Sequence, residues 1–572
     1  NNAYMRNGTG YYRYASIDDF LNQAAPIDFA LTYGYNGEEK PAAEVAFHQF
    51  GAYVQDEFSV SENAKVTYGL RADYITYVDN LIRNNAIYDL DFGGKKIDTG
   101  KWPDAKVLLS PRVGFTWDLK GDQSLKLRGG LGVFTGRLPL VFFTNMPTNS
   151  GMVQGSFRAV TTYKNGMIDK SDPILATLAG PMITDVNEMI DKLGLKKTIS
   201  PEEGALPSEI AGIDPDFKMP QIFKTSLAVD YQLPFSFPMA VTVEGIFTKS
   251  IYSVMLKNYS LKPVDETWQR FSGPDNRYIY PADYRYQSRN AFVLSNNTDG
   301  WGAIGNITLT AEPIKNLNLM AAYTITESRE ITGMPGSNAG SAYGGLLAIN
   351  GPHLPSLQRS QYVVPHKVIG SVSYRIPYAN DHLASSISIF YSGASPREYS
   401  FTYSNDMNGD GYNTDLIYIP KAKGDIKFKT TEDEDAFFKF MSQDKYLKKH
   451  KGEYAGANSV MAPWVHNFDL RFAQDFKVKA GNSTNTLQFT VDILNFGNLL
   501  NSEWGISKNM SSANGGAILK YEGKDASNVP TFSFVKIKDK DGNQIYPTQT
   551  FTTNYYYGET WKLQLGLRYI FN

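Results

Sequence analysis

Cysteine is missing altogether from the 572 residues. Its absence excludes a disulfide framework, a thiolate metal site and a cysteine nucleophile. Charge is sparse: Asp, Glu, Lys and Arg make up 20% of the chain, against about 25% in an ordinary soluble domain. Neither sign dominates, with 56 basic and 58 acidic residues and a net charge of −2. A protein that neutralises phosphates would carry a basic surplus, so no nucleic-acid partner is expected. No apolar run reaches the roughly 18–20 residues of a transmembrane helix. The mean hydropathy of −0.34 looks soluble, but it is blind to a membrane barrel, where lipid-facing and lumen-facing residues alternate and cancel. There is no signal peptide and no initiating Met, so a chain opening at Asn1 reads as a processed product or a fragment.

What the chain has in abundance is aromatic residues, with 37 Tyr and 33 Phe, set in period-two patterns. From Trp561 to Phe571, one face carries Trp561, Leu563, Leu565, Leu567, Tyr569 and Phe571. The other begins Lys562, Gln564, Gly566 and Arg568. About 9–11 residues of tilted strand cross a bilayer, and aromatic residues favour its two interfaces. The same alternation recurs in 63–78, 112–119, 464–472 and 487–494. A soluble all-β protein would also alternate, but it would not need polar faces rich in Gly and apolar faces ringed by aromatics.

Connection lengths point the same way. Short turns near 59–62, 120–122, 234–238, 313–316, 377–382 and 477–483 alternate with long segments at 79–107, 136–218, 257–289, 330–361, 405–459 and 495–559. Short periplasmic turns alternating with long external loops are the mark of an outer-membrane barrel. The expected fold is therefore all-β, a transmembrane antiparallel barrel. About fourteen strands are expected, at 27–36, 43–58, 63–78, 108–118, 123–136, 219–232, 238–257, 296–313, 317–330, 363–377, 384–403, 462–476, 484–494 and 559–571.

Particular residues carry a family resemblance. Tyr53-Val-Gln-Asp-Glu-Phe58, followed by Val66-Thr-Tyr-Gly-Leu-Arg-Ala-Asp73, resembles the "YxQDxW…LTxGLRYD" hairpin of TonB-dependent outer-membrane transporters. Val491-Asp-Ile-Leu-Asn-Phe-Gly-Asn498 is similar to their "VxNLFN" segment, and Trp561–Phe571 to their closing strand. Leu131–Leu140 and Asp406–Pro420 resemble the Oar-like branch of that family.

The resemblance implies a barrel of twenty-two strands filled by an N-terminal plug. Residues 1–572 then correspond to the C-terminal portion of the barrel, with the plug, the TonB box and about eight early strands lying upstream or in a second chain. It implies a receptor in the outer membrane of a Gram-negative bacterium that imports a solute. The implied partners are outer-membrane lipid, TonB acting through the plug, the solute, and a surface lipoprotein or another outer-membrane protein. A passive porin or a surface adhesin is the alternative. An enzyme is not expected, since no Gly-x-Ser-x-Gly elbow or other nucleophile–base signature occurs.

One segment has the spacing of an ion site. Asp406, Asn408 and Asp410, with Gly411 in the sixth position, match the first half of a calcium loop. Tyr412 would offer a backbone carbonyl and Asp415 a late carboxylate, so a structural Ca2+ on Asp406, Asn408, Asp410, Tyr412 and Asp415 is the cofactor expectation. The twelfth position, usually Glu, is Ile417, and a polar Asn/Asp/Gly turn is the simpler reading of the same residues.

Other features suggest less chemistry. Gly129-Gly130-Leu131-Gly132 lacks the strand–turn–helix setting of a phosphate loop and reads as strand, with Gly130, Gly132 and Gly136 facing the lumen. The six histidines, His48, His353, His366, His382, His450 and His466, form no pair at metal-binding spacing. Short amphipathic helices are expected within 431–451, around Phe437, Phe438, Phe440 and Met441, and within 183–193, around Val186, Met189, Ile190 and Leu193.

Overall fold

In the computed structural model, which describes residues 5–164, 167–481, 483–512, 515–553 and 555–571, the alternating segments form one large antiparallel sheet. Its wall strands are β1 (Phe47–Ser61), β2 (Ala64–Tyr77), β3 (Lys106–Asp118), β4 (Leu125–Thr135), β5 (Gln221–Gln232), β6 (Met239–Asn258) and β7 (Trp301–Ala311). They continue as β8 (Leu317–Glu330), β9 (His366–Tyr378), β10 (Leu383–Ala394), β11 (Val465–Ala480), β12 (Ser483–Leu494) and β13 (Lys562–Phe571). Each pairs with the next in sequence. No described helix is long and apolar enough to cross a membrane.

Register fixes which side each residue faces. On the outer face, the row Val54, Leu70 and Pro111 runs beside Phe58, Val66, Phe115, Gly129 and Leu227. Further round, Ile389 meets Leu470, Leu470 meets Ile493 and Ile493 meets Leu563. These side chains stay exposed: Leu565 is 63% and Leu567 73% accessible. A continuous exposed apolar surface of this extent needs lipid rather than water. Near the mouth, Tyr391 stacks on His466 at 6.1 Å and Tyr323 on His366 at 6.1 Å, an outward aromatic belt.

The inner face is polar. Arg128 bridges Asp230 at 2.9 Å and Glu244 at 3.4 Å across three strands. Arg375 meets Asp475 at 3.3 Å, and Arg471 meets Asp492 at 3.6 Å. One inner row reads Gln55, Gly69, Arg112, Gly132 and Lys224, and the next Glu57, Thr67, Gly114, Gly130 and Ser226. Gly130 and Gly132 thus face inward, as expected. Where Gly69, Gly114 and Gly130 bring no side chain, these rows leave a trough of about 340 Å3 between Arg112, Lys224 and Gln55.

All six expected turns join wall strands at one end, for instance residues 119–124, where Gly121 at φ 76° donates to the Asp118 carboxylate at 3.1 Å. All six long segments emerge at the other end. There they fold into a body of their own, with a core of Phe401, Tyr403, Ile417, Phe437, Phe532 and Phe534 drawn from two loops and Phe271 from a third. Both expected helical regions lie in it. Thr431–Gln443 starts on a Thr430 cap and buries Phe437, Phe440 and Met441. Val186–Lys192 starts on an Asp185 cap and buries Met189 and Ile190.

The expectation for 27–36 needs correction. Asp28–Gly34 is a strand, but not a wall strand: it pairs with Tyr11–Arg13 and with Gln154–Lys164 in a small external sheet. Phe29, Leu31 and Tyr33 are buried, but so are Ala30 and Thr32 on the opposite face. Residues 384–403 likewise leave the wall at Ala394, and 296–313 enter it only at Trp301. Glu398–Tyr399 and Thr402–Tyr403 pair with loop strands, whereas Asn296 and Asn297 pair with Val254 and Ser253 of the outer end of β6.

Candidate functional site

The acidic segment 404–414 is the tip of a small hairpin. Its arms are held by Tyr403 N–H donating to Asp415 O at 2.9 Å and Ile417 N–H donating to Phe401 O at 3.1 Å. Beyond the tip Leu416, Ile417, Tyr418 and Ile419 are all buried, so the hairpin is pinned into the loop core. Within the tip each acidic residue orders the backbone. Asp406 accepts from Gly409 N–H at 2.7 Å and Gly411 N–H at 2.8 Å. Asn408 Oδ1 accepts from Asp410 N–H at 3.0 Å, and Asp410 Oδ1 from Tyr412 N–H at 2.8 Å. Gly409 at φ 88° and Gly411 at φ 92° make the sharp reversal that turns the carboxylates inward.

The result is convergence. Oxygens of Asp406, Asp410 and Asp415 lie within 4.8 Å of one another. Asp415 accepts from Met407 N–H and from Asn408 Nδ2, both at 3.0 Å. Of the five residues singled out by spacing, three carboxylates therefore meet. Asn408 turns its amide N–H to Asp415, and Tyr412 contributes its N–H to Asp410 while its ring packs on Tyr343 at 5.7 Å.

The setting of these carboxylates comes from residues that sequence spacing does not reveal. Arg277, fully buried, grips Asp275 at 2.9 and 3.0 Å and donates to Leu416 O at 2.6 Å and Ile349 O at 3.0 Å. It reaches Asp415 at 3.5 Å. Tyr403 and Tyr454 hydroxyls donate to the Asp275 carboxylate at 2.7 and 3.0 Å. Tyr280 N–H donates to Asn408 O at 2.9 Å. Gly351 lies against Asp410, where any Cβ would fall 1.7 Å from Asp410 Oδ2. Three loops thus meet at the tip, and their contributions lie more than a hundred residues apart in part.

Electrostatically the tip is short of positive charge. Burial, reinforced by the Asp415 charge, pushes the Asp410 carboxyl up to about 8. Burial also raises Asp415, to about 7, although the Arg277 guanidinium opposes it. The same physics lifts the Tyr280 hydroxyl, by burial first and then by the Asp410 charge.

Elsewhere in the loop body a groove of about 1390 Å3 opens between Arg359, Lys445, Lys449, Lys508, Asp444 and Glu453. It lies beside the loop ends of β8 and β11, at Arg329 and Trp464, and presents more cations than carboxylates.

The family described as an outer membrane beta barrel domain matches residues 2–565. Among solved structures the chain is similar to the outer membrane transporter YddB from Escherichia coli, at 11% identity and TM-score 0.36, over 92% of this chain and 54% of that one. It is similar to the copper transporter OprC at 9% identity and TM-score 0.36, over 82% of this chain and 48% of that one. It is also similar to the siderophore receptor PiuA from Acinetobacter baumannii at 9% identity and TM-score 0.34, over 96% and 44%. The chain spans about half the length of these structures. No curated protein matches the sequence.

Proposed function

We propose that this chain, which belongs to the outer membrane beta barrel domain family and resides in the outer membrane of a Gram-negative bacterium, forms the larger part of the wall of a TonB-dependent receptor that imports a solute. One observation carries the reading. Among the described residues the wall is an open sheet, with β1 paired only to β2 and β13 only to β12. Unpaired N–H and C=O groups along either edge could not rest in lipid. On this reading further strands close the ring, giving a bore wider than that of a thirteen-strand barrel, in which a plug would sit.

The inner face suits such an occupant. Gly69, Gly114, Gly130 and Gly132 let another backbone approach the wall closely, and Arg112 and Lys224 at their margin offer donors to it. The loops suit capture: their shared core holds the cationic groove as a firm surface. The solute would meet this groove first, then pass through the plugged bore under force transmitted by TonB. The Oar-like motifs and a surface lipoprotein partner belong to the same reading.

Bilayer conductance tests it. The native gene product, purified from its own membrane and inserted into a planar bilayer, is expected to show no regular conductance steps, because the bore is filled. Uniform steps on each insertion would instead establish a passive porin.

A further inference from the structure

We propose that the 406–415 tip binds one calcium ion through the carboxylates of Asp406, Asp410 and Asp415, and that the ion ties three external loops into a single body. Such a site would hold the loops together whether or not the wall carries a solute.

Three carboxylates converging within 4.8 Å would not by themselves make a site. The second observation is at Asp410. The residue is only 4% exposed, and its Oδ2 is buried and accepts no hydrogen bond among the described residues. A buried carboxylate oxygen without a donor is destabilising unless something else satisfies it. Its immediate neighbour across the tip is the Gly351 backbone, at φ 75°, which brings no side chain to satisfy it. The remaining side-chain oxygens of Asp406, Asn408, Asp410 and Asp415 are held in place by the N–H groups of Met407, Gly409, Asp410, Gly411 and Tyr412 and by the Asn408 amide, while Thr414 Oγ1 is buried without a partner like Asp410 Oδ2. Amides that hold carboxylates from outside, leaving oxygens turned to a common centre, are the second shell of a metal site.

Charge demands the same ion. Arg277 grips Asp275 with two contacts and reaches Asp415 at 3.5 Å, while among the described residues Asp406 and Asp410 have no ion-pair partner. A divalent cation would offset the remaining charge. The donors are all hard oxygens, with no His or Cys among them, which selects Ca2+ or Mg2+ over transition metals. Calcium takes about six to eight oxygens in adaptable geometry, and Asn408 and the Tyr412 carbonyl lie within the same turn to complete them. Magnesium demands a near-ideal octahedron that a turn built on Asp-x-Asn-x-Asp-Gly does not supply.

The consequence is structural. The tip touches Gly351 from one loop and Tyr280 from another, while Arg277 links Asp415 to Ile349. Ion binding would hold all three loops in one arrangement.

The test uses the native gene product, purified from its own membrane in detergent, stripped with EGTA and titrated calorimetrically with CaCl2, and separately with MgCl2, which should bind more weakly. Expected is one saturable calcium site, of about 10⁻³ M affinity or tighter as in external modules, with protection of 405–420 from protease on saturation. Asp410→Asn should abolish both effects. Asp406→Asn, at a more exposed position where folding is not at risk, should weaken binding by about tenfold or more, about 1.4 kcal/mol. Asp541→Asn, in an exposed turn elsewhere, should leave the isotherm as it was. Absence of saturable calcium binding, or binding and protection unchanged in Asp406→Asn and Asp410→Asn, overturns the proposal.

Discussion

At the scale of single residues, buried acids set the pH response of the loop body. Glu398 lies beside Arg359 and Glu327, and burial lifts it from 4.5 to about 7, with Arg359 opposing and Glu327 reinforcing. A folded value above the unfolded one makes the folded state the better proton binder. Its contribution is therefore complete below about 4.5 and is lost as pH rises through about 7. Glu398→Gln should leave thermal melting of the loop body, followed by near-UV circular dichroism, unchanged near pH 4.5 and raise it at pH 8. Equal melting of variant and parent at pH 8 would refute the assignment. Asp406, Asn408, Asp410 and Asp415 were legible in the sequence because their spacing is local. Arg277 and Gly351 were not: Arg277 reaches Leu416 across 139 positions, and no spacing rule connects residues joined only by loop packing.

At the scale of elements, wall strands and loops obey different rules. On β13, Leu565 faces outward and Gln564 inward. Leu565→Arg at the bilayer midplane should cost about 2–4 kcal/mol, and Gln564→Arg little. Refolding into lipid vesicles under denaturant measures both, and equal tolerance would reverse the faces. In the loops, Phe437 is fully buried on the helix Thr431–Gln443, against Phe428, Phe438 and Phe534. Phe437→Ala should cost about 3–5 kcal/mol of loop-body stability while leaving the wall folded. Faster amide exchange confined to 395–461 and 515–551 would bear this out, and a uniform loss across the wall strands would contradict it.

Strand periodicity was legible because lipid on one side and a polar lumen on the other impose strict alternation, as in Trp464, His466, Phe468, Leu470 and Phe472. It misled at Phe29, Leu31 and Tyr33, which alternate equally well. There the apolar face is covered by Met189, Ile190 and Leu193 rather than by lipid. The segments 154–164 and 517–534 pair as loop strands that short, irregular patterns did not announce.

For the whole molecule, the account turns on the open sheet. The apolar outer face, the polar inner face and the loop body each cohere, yet β1 and β13 do not meet among the described residues. The proposed receptor needs further strands between them, and a barrel closed by these thirteen strands alone would be a different machine. The most direct measurement is electrophoretic: the 572-residue chain is folded in detergent without any other segment and run with and without boiling. The account predicts no compact, fast-migrating form that boiling converts to a slower one. A sharp heat-sensitive band of that kind would show that the chain closes a barrel by itself, and would contradict the account.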